Sequence, residues 1–464
     1  MNKMTKGLFA NIGIFTLTTF ASRFMSFLIL PLYTYYLTTA EYGTIDLVNT
    51  TISLLFPILS LSICDAVLRF GLDKKNDVKD IFSVGLNIVV AGTLLCFLLI
   101  PILTLSNIDT KIILFGILIY FLQGINTLFA SFCKAIDKVR EMAVITLVIT
   151  FITLLFNVLF VAKLKYGIYG YWLSTILGNL IGALIYIIWC KTLKYYRLNF
   201  GIFKSELVRN MLLYAIPLIP NALFWWINSS LDRLVLTAMT SVSVVGLYAC
   251  ANKIPTIIST ISSIFSQAWT LSIFQSDTDN RKKFFETTYL FYNEVIFCCT
   301  IGVILLSKLL GSILFSKDFF SAWMFVPILT AGVYYNSLNS IIGAVFNAYN
   351  NSKFIFKTTV YGSVTNVVLN IPLVYLYGAM GAAIATLISY IVVWVVRVIK
   401  IKKMYGYIVD CRKALSQFFM LVLITVLIVE CSNWILPFLG VFAYCIYFGI
   451  KYLLPILKRM LVER

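Results

Sequence analysis

The chain has 464 residues, 61% of them hydrophobic and only 12% charged, with a formal net charge of +18. Soluble chains average about 45–50% apolar and about 25% charged residues, so this mixture cannot clothe a soluble surface. With no histidine present, zinc-peptidase patterns, Cys/His zinc sites and histidine acid–base catalysis are excluded, while Ser-Lys and carboxylate chemistry stay open.

A membrane-spanning helix needs roughly 20 apolar residues. Windows of that kind predict an all-α polytopic membrane protein, with helices near 8–35, 42–69, 81–105, 112–133, 142–162, 167–190, 211–236, 244–270, 285–308, 320–346, 354–376, 379–400, 414–434 and 437–457, about fourteen in all. The first window follows Lys3 and Lys6 but is too long for a signal peptide and has no small-residue cleavage site after it, so it reads as an uncleaved helix. The cysteines mostly lie in or at the ends of apolar runs, without C-x-x-C spacing, and read as small hydrophobic residues.

Polar residues at helical spacing mark faces turned from lipid. In the first window these are Thr16, Thr19, Arg23 and Ser26, leading to Tyr33. Arg23 falls near the bilayer midplane, where an arginine costs at least about 2.5–3.5 kcal/mol, and such a residue is a functional candidate by default. The second window carries Asp46, Asn49, Thr50, Ser53 and Ser60 with Pro57 in line, and ends on Asp65 and Arg69, spaced as an i, i+4 pair. The seventh carries Tyr214, Asn221, Trp225, Asn228 and Asp232 with Pro217 in line. Arg233 beside Asp232 fits either a structural ion pair or a ligand contact. In the eighth, Asn252, Thr256, Ser259, Ser263 and Gln267 run beside Lys253. Each Ser, Thr or Asn taken singly also suits an interhelical hydrogen bond, worth about 0.6 kcal/mol. Glu294, inside the ninth window, reads as a proton site or as a paired interior carboxylate, and Asp46 is a second candidate for a coupling ion. The substrate-facing candidates are Arg23, Lys253, Arg233, Asn49, Asn252 and Trp225.

Charge placement sets orientation. Alternate loops sort 28 lysines and arginines onto one side, from Lys3 and Lys6 through Arg197 and Arg397 to Arg464, against Lys111, Lys163, Lys165, Lys308 and Lys317 on the other. That asymmetry is the positive-inside pattern and predicts cytoplasmic termini. It accounts for the basicity without nucleic acid. Loops this short leave no room for a catalytic domain, and neither an enzymatic activity nor a cofactor is expected.

The chain also repeats weakly. Tyr42-Gly43 followed by Asn49 matches Val245-Gly246 followed by Asn252. Asn157 with Tyr166-Gly167-Ile168-Tyr169-Gly170 matches Asn370 with Tyr377-Gly378-Ala379-Met380-Gly381, and Ala135 to Arg140 resembles Ala348 to Lys353. Each pair lies six windows apart, which predicts two parallel six-helix lobes, 1–203 and 204–407, followed by two extra helices in 408–464. In parallel-repeat transporters the substrate path runs at the lobe interface. A cavity carrying Arg23 and Lys253 attracts anions, and the neighbouring Tyr33, Tyr35, Tyr36, Trp225, Trp226 and Tyr248 suit sugar rings.

The stretch from Lys6-Gly7 through Arg23, Pro31-Leu32-Tyr33 and Glu41-Tyr42-Gly43 resembles the opening of the bacterial polysaccharide flippases, Wzx type, of the multidrug/oligosaccharidyl-lipid/polysaccharide exporter superfamily. Val245-Gly246-Leu247-Tyr248, Asp232-Arg233 and Tyr377-Gly378-Ala379-Met380-Gly381-Ala382-Ala383 look like its second-lobe landmarks. The resemblance implies alternating access over a cationic cavity, with Arg23 as the first-helix cation. The implied substrate is an undecaprenyl-diphosphate-linked oligosaccharide, an O-antigen or capsule repeat unit. The implied setting is the lipid of a bacterial cytoplasmic membrane, with a polysaccharide polymerase and a chain-length regulator as protein partners. A lipid II flippase of the same superfamily is the alternative. Such proteins tend to carry an acid beside the first-helix arginine, whereas Phe24 follows Arg23 here. A drug/cation antiporter and an integral-membrane glycan polymerase rank lower.

Overall fold

The computed structural model describes residues 20–73, 76–98, 109–197, 205–275 and 278–430, together with Gly13, Thr18 and Ile100. Thr16, Thr19 and the window 437–457 lie outside the described residues. The chain divides into two compact units, Met1–Trp226 and Ile227–Arg464, each taken by itself below. Among the described residues every regular element is a helix.

In the first unit, residues 20–28 are helical and lead to α1 (Leu30–Tyr36), which starts on Pro31. The helix α2 (Thr39–Leu59) opens with a capping box: Glu41 N donates to Thr38 Oγ1 at 3.2 Å and Thr38 N donates to Glu41 Oε2 at 2.8 Å. Left-handed Leu61 and Ser62 break the expected second window, and α3 (Ile63–Gly71) follows. Then come α4 (Val78–Leu98), α5 (Thr110–Ala135) and α6 (Val139–Asn157), which continues as a π segment (Val158–Lys163), and α7 (Gly167–Trp189). A 3-10 turn (Thr192–Tyr195) precedes α8 (Glu206–Ala215), and α9 (Leu218–Met239) starts after the break at Pro217. The core of this unit is aromatic: Phe82 packs on Phe132 with ring centres 4.6 Å apart, and Phe129 meets Tyr186 edge-on.

The second unit takes the rest of α9, then α10 (Val242–Lys253) and α11 (Thr256–Gln275), which meet at Ile254-Pro255 with a 46° bend. Proline removes a helical donor there and clashes with the preceding turn. The series continues with α12 (Thr278–Leu305), α13 (Ser307–Leu314), a 3-10 stretch (Lys317–Phe325), α14 (Val326–Ala348), α15 (Ser352–Tyr377), α16 (Ala379–Tyr405) and α17 (Cys411–Glu430). α16 packs along α15 and α14. Gly381, Ala382, Ala383 and Ala385 line its buried face, the small residues that let membrane helices approach closely.

Ten helices among the described residues are long and apolar enough to cross a membrane, or eleven when α10 and α11 count as one bent span. α14 is long enough, but it carries Asn336, Asn339 and Asn347 and is buried along most of its length. Leu98, Ile188, Val368 and Tyr375 stand exposed at 62–80%, a lipid-facing apolar surface that would be a liability in water.

The weak sequence repeat has a structural counterpart at each of its three places. Ser241 accepts a bond from Val244 N as Thr38 does from Glu41 N. Asp137 and Asn350 are both left-handed, at φ 60° and 55°, and each sits in the same helix-ending turn. There Lys138 N donates to Cys133 O and Asn351 N to Phe346 O, both at 2.8 Å. Gly167 and Gly378 share a positive φ, 55° and 57°. Three residues on, a Cβ at Gly170 or Gly381 would strike a carbonyl of the preceding helix, at 2.9 Å from Phe160 O and 1.9 Å from Leu373 O.

Candidate functional site

The polar residues of the first unit gather on α2 and α7. Asn49 Nδ2 donates to the Tyr171 hydroxyl at 3.1 Å. Tyr171 stands edge-on to buried Tyr33 with ring centres 5.5 Å apart, and Tyr33 packs in turn on Tyr42 at 6.1 Å. Asp46 lies one turn before Asn49, half-buried, with its charge acting on Tyr171. The first part of α9 is tied to α2 by Trp226, whose indole N–H is shared between Thr50 O and Ser53 Oγ, each at 3.1 Å. Its neighbour Trp225 is 47% exposed. Arg23 is exposed on the 20–28 helix, beside the stacked rings of Phe20 and Phe24.

In the second unit Asp232 is almost wholly buried. Its Oδ1 accepts from Arg233 N at 3.1 Å and from Arg233 Nη1 at 3.0 Å, and its Oδ2 accepts from the Tyr248 hydroxyl. The Arg233 guanidinium also donates to Ser229 O at 2.7 Å and lies 5.8 Å from the centre of the Tyr248 ring. Arg233 is thus held in an ion pair that reaches α10 through Tyr248. Asn252 spends its amide on Tyr248 O at 2.9 Å, within its own helix. Lys253 is half-buried at the end of α10, where the bend to α11 begins, and its ammonium makes no ion pair among the described residues.

Glu294 is 2% exposed and pairs with Lys413 of α17. Gln417 Nε2 donates to Glu294 Oε1 at 3.3 Å, Asn293 Nδ2 donates to Gln417 Oε1 at 2.9 Å, and the Tyr334 hydroxyl donates to Asn293 Oδ1 at 2.6 Å.

Two cations counted above as loop charges lie elsewhere. Lys413 is the partner just described. Arg397 is 4% exposed inside α16, its Nε donating to Thr358 Oγ1 at 3.0 Å and its Nη1 to Asn339 O at 2.7 Å. Both stand at the ends of apolar runs in the sequence, where a lysine or arginine ordinarily snorkels to the headgroups. Asp65 and Arg69 form no ion pair among the described residues; the cation acting on Asp65 is Lys134 of α5.

The candidates therefore divide by charge state. Asp232 with Arg233, and Glu294 with Lys413, are neutralised internally, whereas Lys253, at the break between two helices, has no carboxylate partner among the described residues. A lysine there presents a point charge of the kind that suits a phosphate. No group of three or more His, Cys, Asp or Glu among the described residues could hold a metal.

Two helical units with matching turns, a broken helix and ionisable side chains inside apolar spans define a multi-pass membrane protein. Solved structures share this fold. A lipid II flippase, MurJ, in an inward closed conformation superposes with a TM-score of 0.71 at 18% identity, over 95% of this chain and 99% of that one. An inward-facing multidrug resistance transporter of the MATE family and the MOP superfamily gives 0.66 at 13% identity, over 83% and 94%.

The chain belongs to the polysaccharide biosynthesis protein family, whose model matches residues 8–270. Among curated proteins, it is 25% identical over 194 residues to the probable low-salt glycan biosynthesis flippase Agl15 of Haloferax volcanii. It is 24% identical over 205 residues to an uncharacterised membrane protein of Methanocaldococcus jannaschii. The chain spans about 40% of the length of these curated relatives, and the matches cover 40% and 42% of the chain itself.

Proposed function

We propose that this protein moves a polyprenyl-diphosphate-linked oligosaccharide, with undecaprenyl as the carrier, from the cytoplasmic to the outer leaflet of a bacterial cytoplasmic membrane by alternating access. Its termini would face the cytoplasm, and the product would feed surface polysaccharide assembly such as O-antigen or capsule. The observation that carries the reading is the membership of residues 8–270 in the polysaccharide biosynthesis family. The polytopic fold supports it, and so does a flippase of glycan biosynthesis among the relatives. Arg23 of the first unit and Lys253 of the second are each a candidate cation for a phosphate, and exposed aromatic side chains such as Trp225 offer faces for sugars. The drug-antiporter reading is less favoured: the buried carboxylates Asp232 and Glu294 are already paired with cations rather than available to an organic cation.

The test is to follow the leaflet of the lipid-linked repeat unit in a strain lacking the gene. Loss of flipping strands complete repeat units on the cytoplasmic leaflet, and plasmid-borne wild-type protein restores their exposure. Single units accumulating on the outer face would indicate a polymerase. Loss of viability with lipid II accumulating inside would indicate the lipid II flippase.

A further inference from the structure

The interior carboxylate of α12 is built into a polar chain that runs through three helices. Lys413 and Gln417, one turn apart on α17, both reach Glu294, and Asn293 and Tyr334 continue the chain from α12 into α14. Elsewhere α17 is apolar and largely exposed, with Leu415 and Phe419 at 57% and 61%. Beside it lies a cavity of about 210 Å³ lined by Tyr335, Leu387, Phe418 and Leu421 among others. α17 is therefore joined to its unit by a polar pin at one end of a buried stripe of Leu421, Ile424 and Ile428, with the cavity beside that stripe.

We propose that Glu294 is a proton-binding site whose occupancy sets whether α17 is docked on α12 and α14. In the docked arrangement Glu294 is ionised and Lys413 is its counter-ion. Moving α17 away withdraws the Lys413 counter-ion and leaves a buried carboxylate without it, an arrangement in which the charge is costly. Such a group takes up a proton from water instead. Undocking therefore binds one proton and docking releases it, so acid favours the undocked arrangement.

Among the described residues, the titratable and charged groups on the neighbouring elements are these. α14 contributes the Tyr334 phenol, already donating to Asn293. α11 has no titratable residue. Lys308 of α13 lies over the Trp323 ring, and α16 reaches α12 through Trp394, whose indole donates to Tyr289. One turn further along α12 stands Cys298, half-buried. On α17, Arg412 is exposed.

The inference deepens the transport reading by supplying it with a proton-linked element, but its test needs no glycan and so stands or falls separately. Spin labels are attached through an unnatural amino acid at the lipid-exposed positions Leu290 and Phe419, and the full chain is placed in lipid nanodiscs. Between about pH 8 and about pH 5 the interlabel distance of the wild type is expected to shift by roughly a helix pitch, ~5 Å. Glu294→Gln, isosteric with the protonated acid, should show the acid distance at both pH values, and Lys413→Arg should keep the pH-dependent shift. An infrared band of protonated carboxyl should grow with the shift in the wild type and be missing from Glu294→Gln. A wild-type distance that ignores pH, or a Glu294→Gln protein that stays at the alkaline distance, overturns the proposal. If Glu294→Gln does not fold, the wild-type infrared difference decides: a carboxyl band that tracks the distance supports the site, and a flat spectrum refutes it.

Discussion

Arg23 and Arg397 are both arginines within apolar helices, and they are expected to behave oppositely on substitution. Arg23 is exposed on the 20–28 helix, where a guanidinium can take phosphate oxygens bidentately and a lysine only as a point charge. Arg23→Lys should keep part of the glycan display, and Arg23→Ala should lower it about tenfold or more, the loss expected when charge-assisted bonds of about 1.5–3 kcal/mol disappear. Display is normalised to protein in the membrane, and wild-type display by Arg23→Ala would remove the arginine from the binding site. Arg397 is buried among neutral acceptors, and Thr358 keeps its own bond to Ile355 O at 2.8 Å if the arginine is lost. Replacing a buried cation by a well-packed apolar side chain is often neutral or stabilising. Arg397→Met should therefore hold or raise the unfolding temperature in detergent, whereas Arg397→Ala, which opens a cavity, should cost about 2 kcal/mol or more. A fall for Arg397→Met as large as that for Arg397→Ala would show that the guanidinium itself holds α14, α15 and α16 together. Sequence alone singles out Arg23 because it lies well inside its window. It misread Arg397 and Lys413 because both stand where an apolar run ends, and burial there depends on helices distant in the chain.

Among the elements, what a local pattern specifies was legible, and what a backbone break specifies was not. The repeated turns were visible as short matches because a left-handed residue and a close approach select for particular side chains. Asp137 with Asn350 and Gly170 with Gly381 are the pairs that carried the signal. Glycine is required most strictly around α16: Gly378 sits at φ 57°, ψ −133°, and a Cβ on Gly381 would lie 1.9 Å from Leu373 O. Gly381→Ala should therefore sharply reduce the amount of folded protein recovered. Gly302→Ala, with nothing within 4 Å of its Cβ, should leave the yield unchanged, and equal yields would contradict the close packing of α15 on α16. The breaks at Leu61-Ser62, Pro217 and Pro255 split windows that hydropathy reads as single spans, because an averaged apolar signal does not register one missing donor. Glu294 stayed open between proton site and paired acid for a related reason: its cation arrives from α17, far along the chain.

At the scale of the whole molecule, the +18 charge is expected to be a record of orientation. Reporters fused after Lys79, Arg197 and Lys403 should read cytoplasmic, and reporters at Lys165 and Thr240 should read external. Two reversed assignments would undo the topology. That the chain crosses the membrane many times was legible because the bilayer fixes helix length; about fourteen spans are expected from the sequence, and ten or eleven stand among the described residues. The polar helix α14 shows the limit of that logic, since a segment surrounded by other helices need not be apolar. The buried pairings also bear on biogenesis. A ribosome releases Asn339 and Thr358 before Arg397, so the acceptors for that guanidinium are already in place when α16 emerges. Glu294 has the reverse history, because α12 must partition into the bilayer long before Lys413 has been translated. Nascent chains truncated ahead of α17 should accordingly insert α12 poorly, and Glu294→Gln should rescue that insertion, as scored by glycosylation of engineered acceptor sites in microsomes. Equal insertion of the two truncated chains would mean that the carboxyl finds an earlier partner, and that the lysine of α17 takes it over only at the close of synthesis.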